Sequence, residues 1–247
     1  MLGAVSPLVK RVLIGALAVL VLLGVVVGYI FYSAFGHNRP IADRQVLEPG
    51  VEIVKDGFVS IAVLDAGPNQ VALVDAGHDT DGKAILTALA ERHLEPSAVK
   101  AIFLTHGHPD HTAGCHLFPG ATVYAMQADA ALVGAAATVT PIKDGDAIDI
   151  GGGTRVEAFA TPGHTPGSIV YFARGVLFFG DSAGGSKDGV VMPAARFFSK
   201  DPAENVASLK ALEARLFPRK AEVQKLAFAH TGPLDGFEPL VVFAQTH

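Results

Sequence analysis

The sequence predicts an α+β fold, a four-layer αββα sandwich of two facing β-sheets with helices outside, preceded by one N-terminal transmembrane helix. Three observations predict it. The chain has 247 residues, half of them apolar, which suits one domain of roughly 200 residues plus an extra segment. β-rich runs followed by helical ones appear twice, once before and once after about residue 135, without any repeat of solenoid length. Residues 12–32 contain no charged residue.

As a helix, residues 12–32 would be about 31 Å long, close to the thickness of a bilayer core. Lys10 and Arg11 precede the run, and Tyr29, Phe31 and Tyr32 close it, as aromatic residues at a membrane interface do. A cleaved signal peptide has a shorter apolar stretch, about 7–15 residues, and a small-x-small cleavage site. Here the nearest candidate, Tyr32-Ser33-Ala34, has a bulky residue where a small one is needed. The expectation is an uncleaved single-pass anchor. Lys10 and Arg11 lie closer to the span than Arg39 and Arg44, which favours an extracytoplasmic domain. Residues 1–11 are then a flank and the proline-containing stretch 33–49 a linker. Residues 50–247 form the folded domain.

Within the domain, 58–64 and 70–75 read as strands around the turn Ala66-Gly67-Pro68-Asn69. Residues 81–93 carry helical apolar spacing at Ile85, Leu86 and Leu89, and 99–105 is an apolar strand. A helix is expected to open near Asp110, followed by a strand at 121–126 and an alanine-rich helix at 127–134. Short strands follow at 147–150, 155–161, 168–173 and 176–179, with turns at Gly151-Gly152-Gly153 and Arg174-Gly175. Asp201-Pro202 supplies an N-cap and a proline at the first helical position, opening a helix to about Phe217. A strand at 224–229 and a helix at 237–244 complete the chain.

The net charge is −5, Lys and Arg total 19, and no basic run occurs, so a phosphate-tracking nucleic-acid surface is not expected. The single cysteine, Cys115, excludes an internal disulfide and reads as a small packing residue. Chemistry concentrates instead in His106-Gly107-His108-Pro109-Asp110-His111, directly after the strand ending at 105. Residues two apart on a strand share a face, which aligns His106 with His108; the turn at Pro109 lets Asp110 and His111 point back to the same space. Imidazole nitrogen and carboxylate oxygen suit Zn2+ and other borderline divalent metals. Three later residues share a strand-end or rigid-loop context: His164 in Thr161-Pro162-Gly163-His164-Thr165-Pro166-Gly167, Asp181 after Phe179-Gly180, and His230 after Phe228-Ala229. His37, His93, His116 and His247 lack that context and read as surface or packing residues.

Together these strings resemble the metallo-β-lactamase superfamily, in particular the branch with glyoxalase II-type thioesterases and lactonases, over roughly residues 50–245. The resemblance implies two divalent metal ions, zinc first, with iron or manganese as alternatives. His106, His108 and His164 would hold one ion, Asp110, His111 and His230 the other, and Asp181 would bridge them. Asp75, in Val74-Asp75-Ala76-Gly77, resembles a strand-end aspartate that supports the histidine loop. Where the family often has Gly-His-Gly, this chain has Ala229-His230-Thr231-Gly232.

Two ions about 3.5–4 Å apart would share a hydroxide that attacks a carbonyl, with Asp110 as the catalytic proton acceptor. The expected substrate is a small-molecule ester, thioester or lactone. His78 is a candidate for the mouth of the site, and Lys187 and Arg196 are candidates for binding a substrate carboxylate. The stretch 183–200 carries both, together with Met192, Phe197 and Phe198. The chain ends soon after its last helix, whereas full glyoxalase II enzymes carry a further helical region, which weighs against glutathione thioesters. The alternatives are a β-lactamase and a mononuclear-iron oxidoreductase of the persulfide dioxygenase type.

Overall fold

A computed structural model describes residues 6–247. The chain divides into two units, residues up to His37 and Asn38–His247. The first is the helix α1, Pro7–Phe35, opened by Ser6, whose hydroxyl accepts from the Val9 amide at 3.4 Å. It starts earlier than expected, with Pro7 in its first turn, and so takes in Lys10 and Arg11. Its window Pro7–Tyr29 has a mean hydropathy of 2.8, long and apolar enough to cross a membrane.

The second unit has two mixed sheets. The first runs in chain order: β1 Gln45–Glu48, β2 Val51–Asp56, β3 Val59–Asp65, β4 Val71–Val74, β5 Val99–Phe103, β6 Thr122–Met126 and β7 Val139–Ile142. Its early pairs are antiparallel and those from β4 to β7 parallel. The second sheet uses β8 Ala147–Gly151, β9 Thr154–Ala160, β10 Ile169–Ala173 and β11 Val176–Phe178. A two-stranded ribbon, β12 Ala183–Gly185 and β13 Val191–Pro193, intervenes before β14 Lys225–Ala227 and β15 Leu234–Asp235 complete the sheet in the order β15-β14-β11-β10-β9-β8.

Alternation along the strands builds the layers. On β3, Ala62 and Leu64 face the second sheet while Ile61 and Val63 face outward; on β10, Ile169 and Tyr171 face inward while Val170 and Phe172 face outward. Both faces are buried, which is why these strands read as unbroken apolar runs. The inner faces make the central core. The outer face of the first sheet packs on α2, Lys83–Glu91, through Ile85, Ala88 and Leu89. The outer face of the second packs on α5, Pro202–Leu216, and α6, Glu238–Thr246, through Leu209, Leu212, Leu240 and Phe243. Three cores between four layers give the expected αββα order. Asp201 caps α5 by accepting from Ala203 and Glu204 amides.

Several expectations need correction. The stretch 33–49 is not a free linker: α1 continues to Phe35, β1 occupies Gln45–Glu48, and the Arg39 amide donates to Gly185 O at 2.9 Å. Polar composition did not reveal that this backbone is hydrogen-bonded into the domain. The helix near Asp110 is one turn, α3 Pro109–Thr112. It stops because the Gly114 amide donates to Ala76 O; a Cβ on Gly114 would stand 2.4 Å from that oxygen. The segment 127–134 is broken into a 3-10 turn, the short α4 Ala130–Val133, and another 3-10 turn. Asp129 is buried at the break, its carboxylate turned to other loops.

Candidate metal centre

The ends of β4, β5, β9, β11 and β14 meet at one edge of the sandwich. Two main-chain bonds join the sheets there, Ile169 N to Thr105 O at 2.9 Å and Ser60 N to Ala229 O at 2.8 Å. Beyond β4, Asp75 sits at φ 63°. Its carboxylate accepts from the Thr105 amide and hydroxyl, both at 2.8 Å, and from His111 Nδ1 at 2.8 Å. With Nδ1 engaged, His111 turns Nε2 toward the other predicted ligands.

The seven residues form two adjacent groups, His106, His108, His164 and Asp181, and Asp110, His111 and His230; within each group the donor atoms lie within 4.8 Å of one another. His108 Nδ1 is 3.0 Å from His106 Nε2 and 3.1 Å from His164 Nε2. His230 Nε2 is 3.3 Å from Asp110 Oδ2. Asp181 stands between the groups: Oδ1 is 3.3 Å from His111 Nε2, and Oδ2 is 3.1 Å from His230 Nε2 and 3.6 Å from His164 Nε2.

This donor set fits divalent cations. His111 Nε2 and Asp181 Oδ1 are buried, face each other at 3.3 Å and have no well-formed hydrogen bond, an arrangement that is costly unless a proton or a metal cation lies between them. Tetrahedral zinc with bonds of about 2.0–2.1 Å to nitrogen would set its nitrogens about 3.3 Å apart, near the imidazole spacings here.

Burial and charge set the protonation. Burial holds His106 well below its ordinary value and pulls His164 down to about 4. Burial also works against the charged forms of His111 and His230, but carboxylates outweigh it. Asp75 and Asp181 hold His111 well above the usual range, and Asp110 and Asp181 lift His230 to about 10. Burial likewise opposes ionisation of Asp110 and Asp181; the imidazoles of His230 and His111 overcome it and keep both carboxyls below their ordinary value.

Sequence reasoning missed the groups that align these loops. Asp129 accepts from Gly107 N at 2.9 Å, Gly167 N at 2.7 Å and Thr165 Oγ1 at 2.6 Å, tying the first histidine loop to the His164 loop. The approach is close: a Cβ on Gly167 would fall 2.5 Å from Asp129 Cγ. No local pattern marks Asp129, because its partners lie in two other loops. Phe58 accepts from His230 Nδ1 through its carbonyl at 3.1 Å and stacks on that ring at 5.7 Å. His78 stacks on Phe58 at 4.8 Å and leans on Asp56 at 3.6 Å, so it stands at the rim, one ring removed from the donors. A cavity of about 480 Å3 opens beside His108 and His164, lined also by Leu132, Phe197, Phe198 and Lys200. Lys187 and Arg196 are exposed and do not line it.

Comparison with known proteins agrees with this architecture. The profile of the metallo-beta-lactamase superfamily matches residues 54–230. A hydroxyacylglutathione hydrolase from Citrobacter koseri is 36% identical over 126 residues, covering 49% of this chain and 46% of that protein. One from Salmonella paratyphi A is 37% identical over 132 residues, 52% and 47% of the respective chains. The chain thus spans about half the length of these curated relatives. Among solved structures, a B3 metallo-beta-lactamase with an active-site glutamic acid superposes with TM-score 0.64 at 22% identity, over 87% of this chain and 89% of that one. A metallo-beta-lactamase family protein from Thermus thermophilus gives 0.62 at 23% identity, over 82% and 80%. With the profile spanning most of the domain and the sandwich matching throughout, this chain belongs to the metallo-β-lactamase superfamily.

Proposed function

We propose that this chain is a metal-dependent hydrolase of a small-molecule ester, thioester or lactone, with the thioester favoured by the kinship to hydroxyacylglutathione hydrolases. The observation that carries the reading is the convergence of seven donors, with His111 Nε2 and Asp181 Oδ1 buried and unpartnered between them. His106, His108 and His164 would hold one divalent ion, Asp110, His111 and His230 a second, and Asp181 both; the donor types favour zinc. When bound, such ions supply polarisation of a carbonyl and a water acidic enough to react at neutral pH.

The chain's own residues do the rest. Asp75 holds the His111 ring with Nε2 inward, and the Phe58 carbonyl does the same for His230. Asp110, half-buried and kept ionised beside His230, accepts at its carboxylate the proton lost by the attacking water and returns it to the leaving sulfur or oxygen. We also propose that α1 anchors the chain in a bilayer with the domain on the extracytoplasmic side. Protease added to intact spheroplasts would then digest the domain; protection would reverse the orientation.

The deciding experiment is metal analysis of the full chain together with ester, thioester, lactone and β-lactam substrates. About two zinc ions per chain are expected, and Asp110→Ala should lose at least about a hundredfold in turnover. One iron with oxygen uptake, or undiminished turnover in Asp110→Ala, would overturn the reading.

A further inference from the structure

The segment between β13 and α5 is laid along the His164 loop. Lys200 N donates to His164 O at 3.0 Å, Asp201 N donates to Gly163 O at 2.8 Å, and Ser199 Oγ lies 3.4 Å from His164 Nδ1. Whatever this segment recognises is therefore held in register with a predicted metal ligand. Its 3-10 turn, Arg196–Phe198, leaves Phe197 86% and Phe198 62% exposed. Leaving such apolar surface in water costs about 25 cal/mol per Å2, and an apolar patch beside a reactive cluster marks a binding site. With Leu132, 48% exposed, the two rings line the cavity of about 480 Å3 that also reaches His108 and His164. That volume falls within the roughly 300–1,000 Å3 of small-molecule sites.

Lys200 lines the same cavity. Its ammonium has no carboxylate partner among the described residues, whereas Lys83 pairs with Asp81 and Lys225 with Asp235. Asp110 and Asp181 both face His230 within the donor cluster.

We propose, on the basis of the hydrolase reading, that the substrate joins an apolar acyl group, received by Leu132, Phe197 and Phe198, to a part bearing a carboxylate, received by Lys200. Its hydrolysis forms a bond from water oxygen to the acyl carbon, breaks the bond from that carbon to the leaving sulfur or oxygen, and gives the water's proton to the leaving atom. No oxidant or reductant is required.

The test uses the full, metal-loaded chain in phospholipid nanodiscs and four thioesters. The acyl group is acetyl or phenylacetyl, and the thiol part is mercaptopropionate or its amide. In the wild type, kcat/KM should favour phenylacetyl over acetyl and carboxylate over amide, each by roughly tenfold. Lys200→Met should erase the carboxylate preference through KM, Lys200→Arg should retain it, and Arg196→Met, outside the cavity, should leave it intact. Phe197→Ser combined with Phe198→Ser should erase the phenylacetyl preference. Equal turnover of all four by the wild type, or equal losses on acid and amide in Lys200→Met, would overturn the proposal. If no ester, thioester or lactone is cleaved, the hydrolase reading fails, and calorimetric titration with the uncleavable thioether 3-(2-phenylethylthio)propionate and its amide decides alone. Tighter binding of the acid that depends on Lys200 supports the subsite, and equal or absent binding overturns it.

Discussion

Asp75 lies in the left-handed region at φ 63°, a conformation asparagine also tolerates, so Asp75→Asn changes the electrostatics without straining the backbone. An asparagine whose oxygen stays on the Thr105 amide turns its NH2 toward His111 Nδ1, where the aspartate now accepts. The imidazole must then carry its proton on Nε2, the atom aimed at the metal donors. Loss of such a supporting carboxylate costs about 10–100-fold in metal affinity. Competition with a chromophoric chelator measures it, and an unchanged affinity for Asp75→Asn would reject the role given to Asp75. Asp75 also bears on Cys115. Burial, aided by the Asp75 charge, pushes that thiol up to about 12, which leaves it a protonated packing residue, as its sequence context suggests.

At the scale of elements, the loops that carry the donors are organised by one buried aspartate. Asp129 is fully buried and receives hydrogen bonds from the Gly107 and Gly167 amides and the Thr165 hydroxyl. Asp129→Ala strands the buried Gly107 and Gly167 amides and leaves the Thr165 hydroxyl with Ser168 Oγ alone. Unfolding in denaturant should show a loss of at least about 1–3 kcal/mol, with weaker zinc retention because the His164 loop is no longer tied to the first histidine loop. A variant as stable as the wild type, with full zinc content, would contradict this account. Asp129 also illustrates what was legible in the sequence. The donors were, because each follows a strand or a rigid loop: His106 comes after the run containing β5, Asp181 after β11 and His230 after β14. The strands themselves were visible as apolar runs because both of their faces are buried. Asp129 was not, since it lies in an alanine-rich stretch whose helical composition is overridden by tertiary hydrogen bonds. The strand β1 and the segment from Asn38 were hidden for a similar reason. Their order comes from backbone pairing with Ile53, Ser186 and Gly185, which composition does not record.

For the whole molecule, the proposed metal centre and the stability of the sandwich are coupled because the donors lie where the two sheets meet. Without cations, protons must balance the carboxylates of Asp75, Asp110 and Asp181. Burial disfavours a charged His230, but Asp110 and Asp181 prevail and raise it from 6.5 to about 10; His111 is raised in the same sense. A folded-state value above the unfolded one stabilises the fold fully below the unfolded value and loses that contribution as pH climbs through the folded value. The stabilisation that His230 gives the metal-free chain is therefore complete below pH 6.5 and gone above about pH 10. Metal-loaded chain behaves differently, since cations replace those protons and bind more tightly as the imidazoles deprotonate. Thermal unfolding of the full chain in nanodiscs, with and without chelator, should therefore show a Tm gap that widens from pH 6.5 toward pH 10. The widening should come mainly from a falling Tm of the stripped form. A gap that stays constant or narrows over that range would mean that the carboxylates and imidazoles are not balancing one another's charge, and the proposed paired-cation centre would lose its electrostatic rationale.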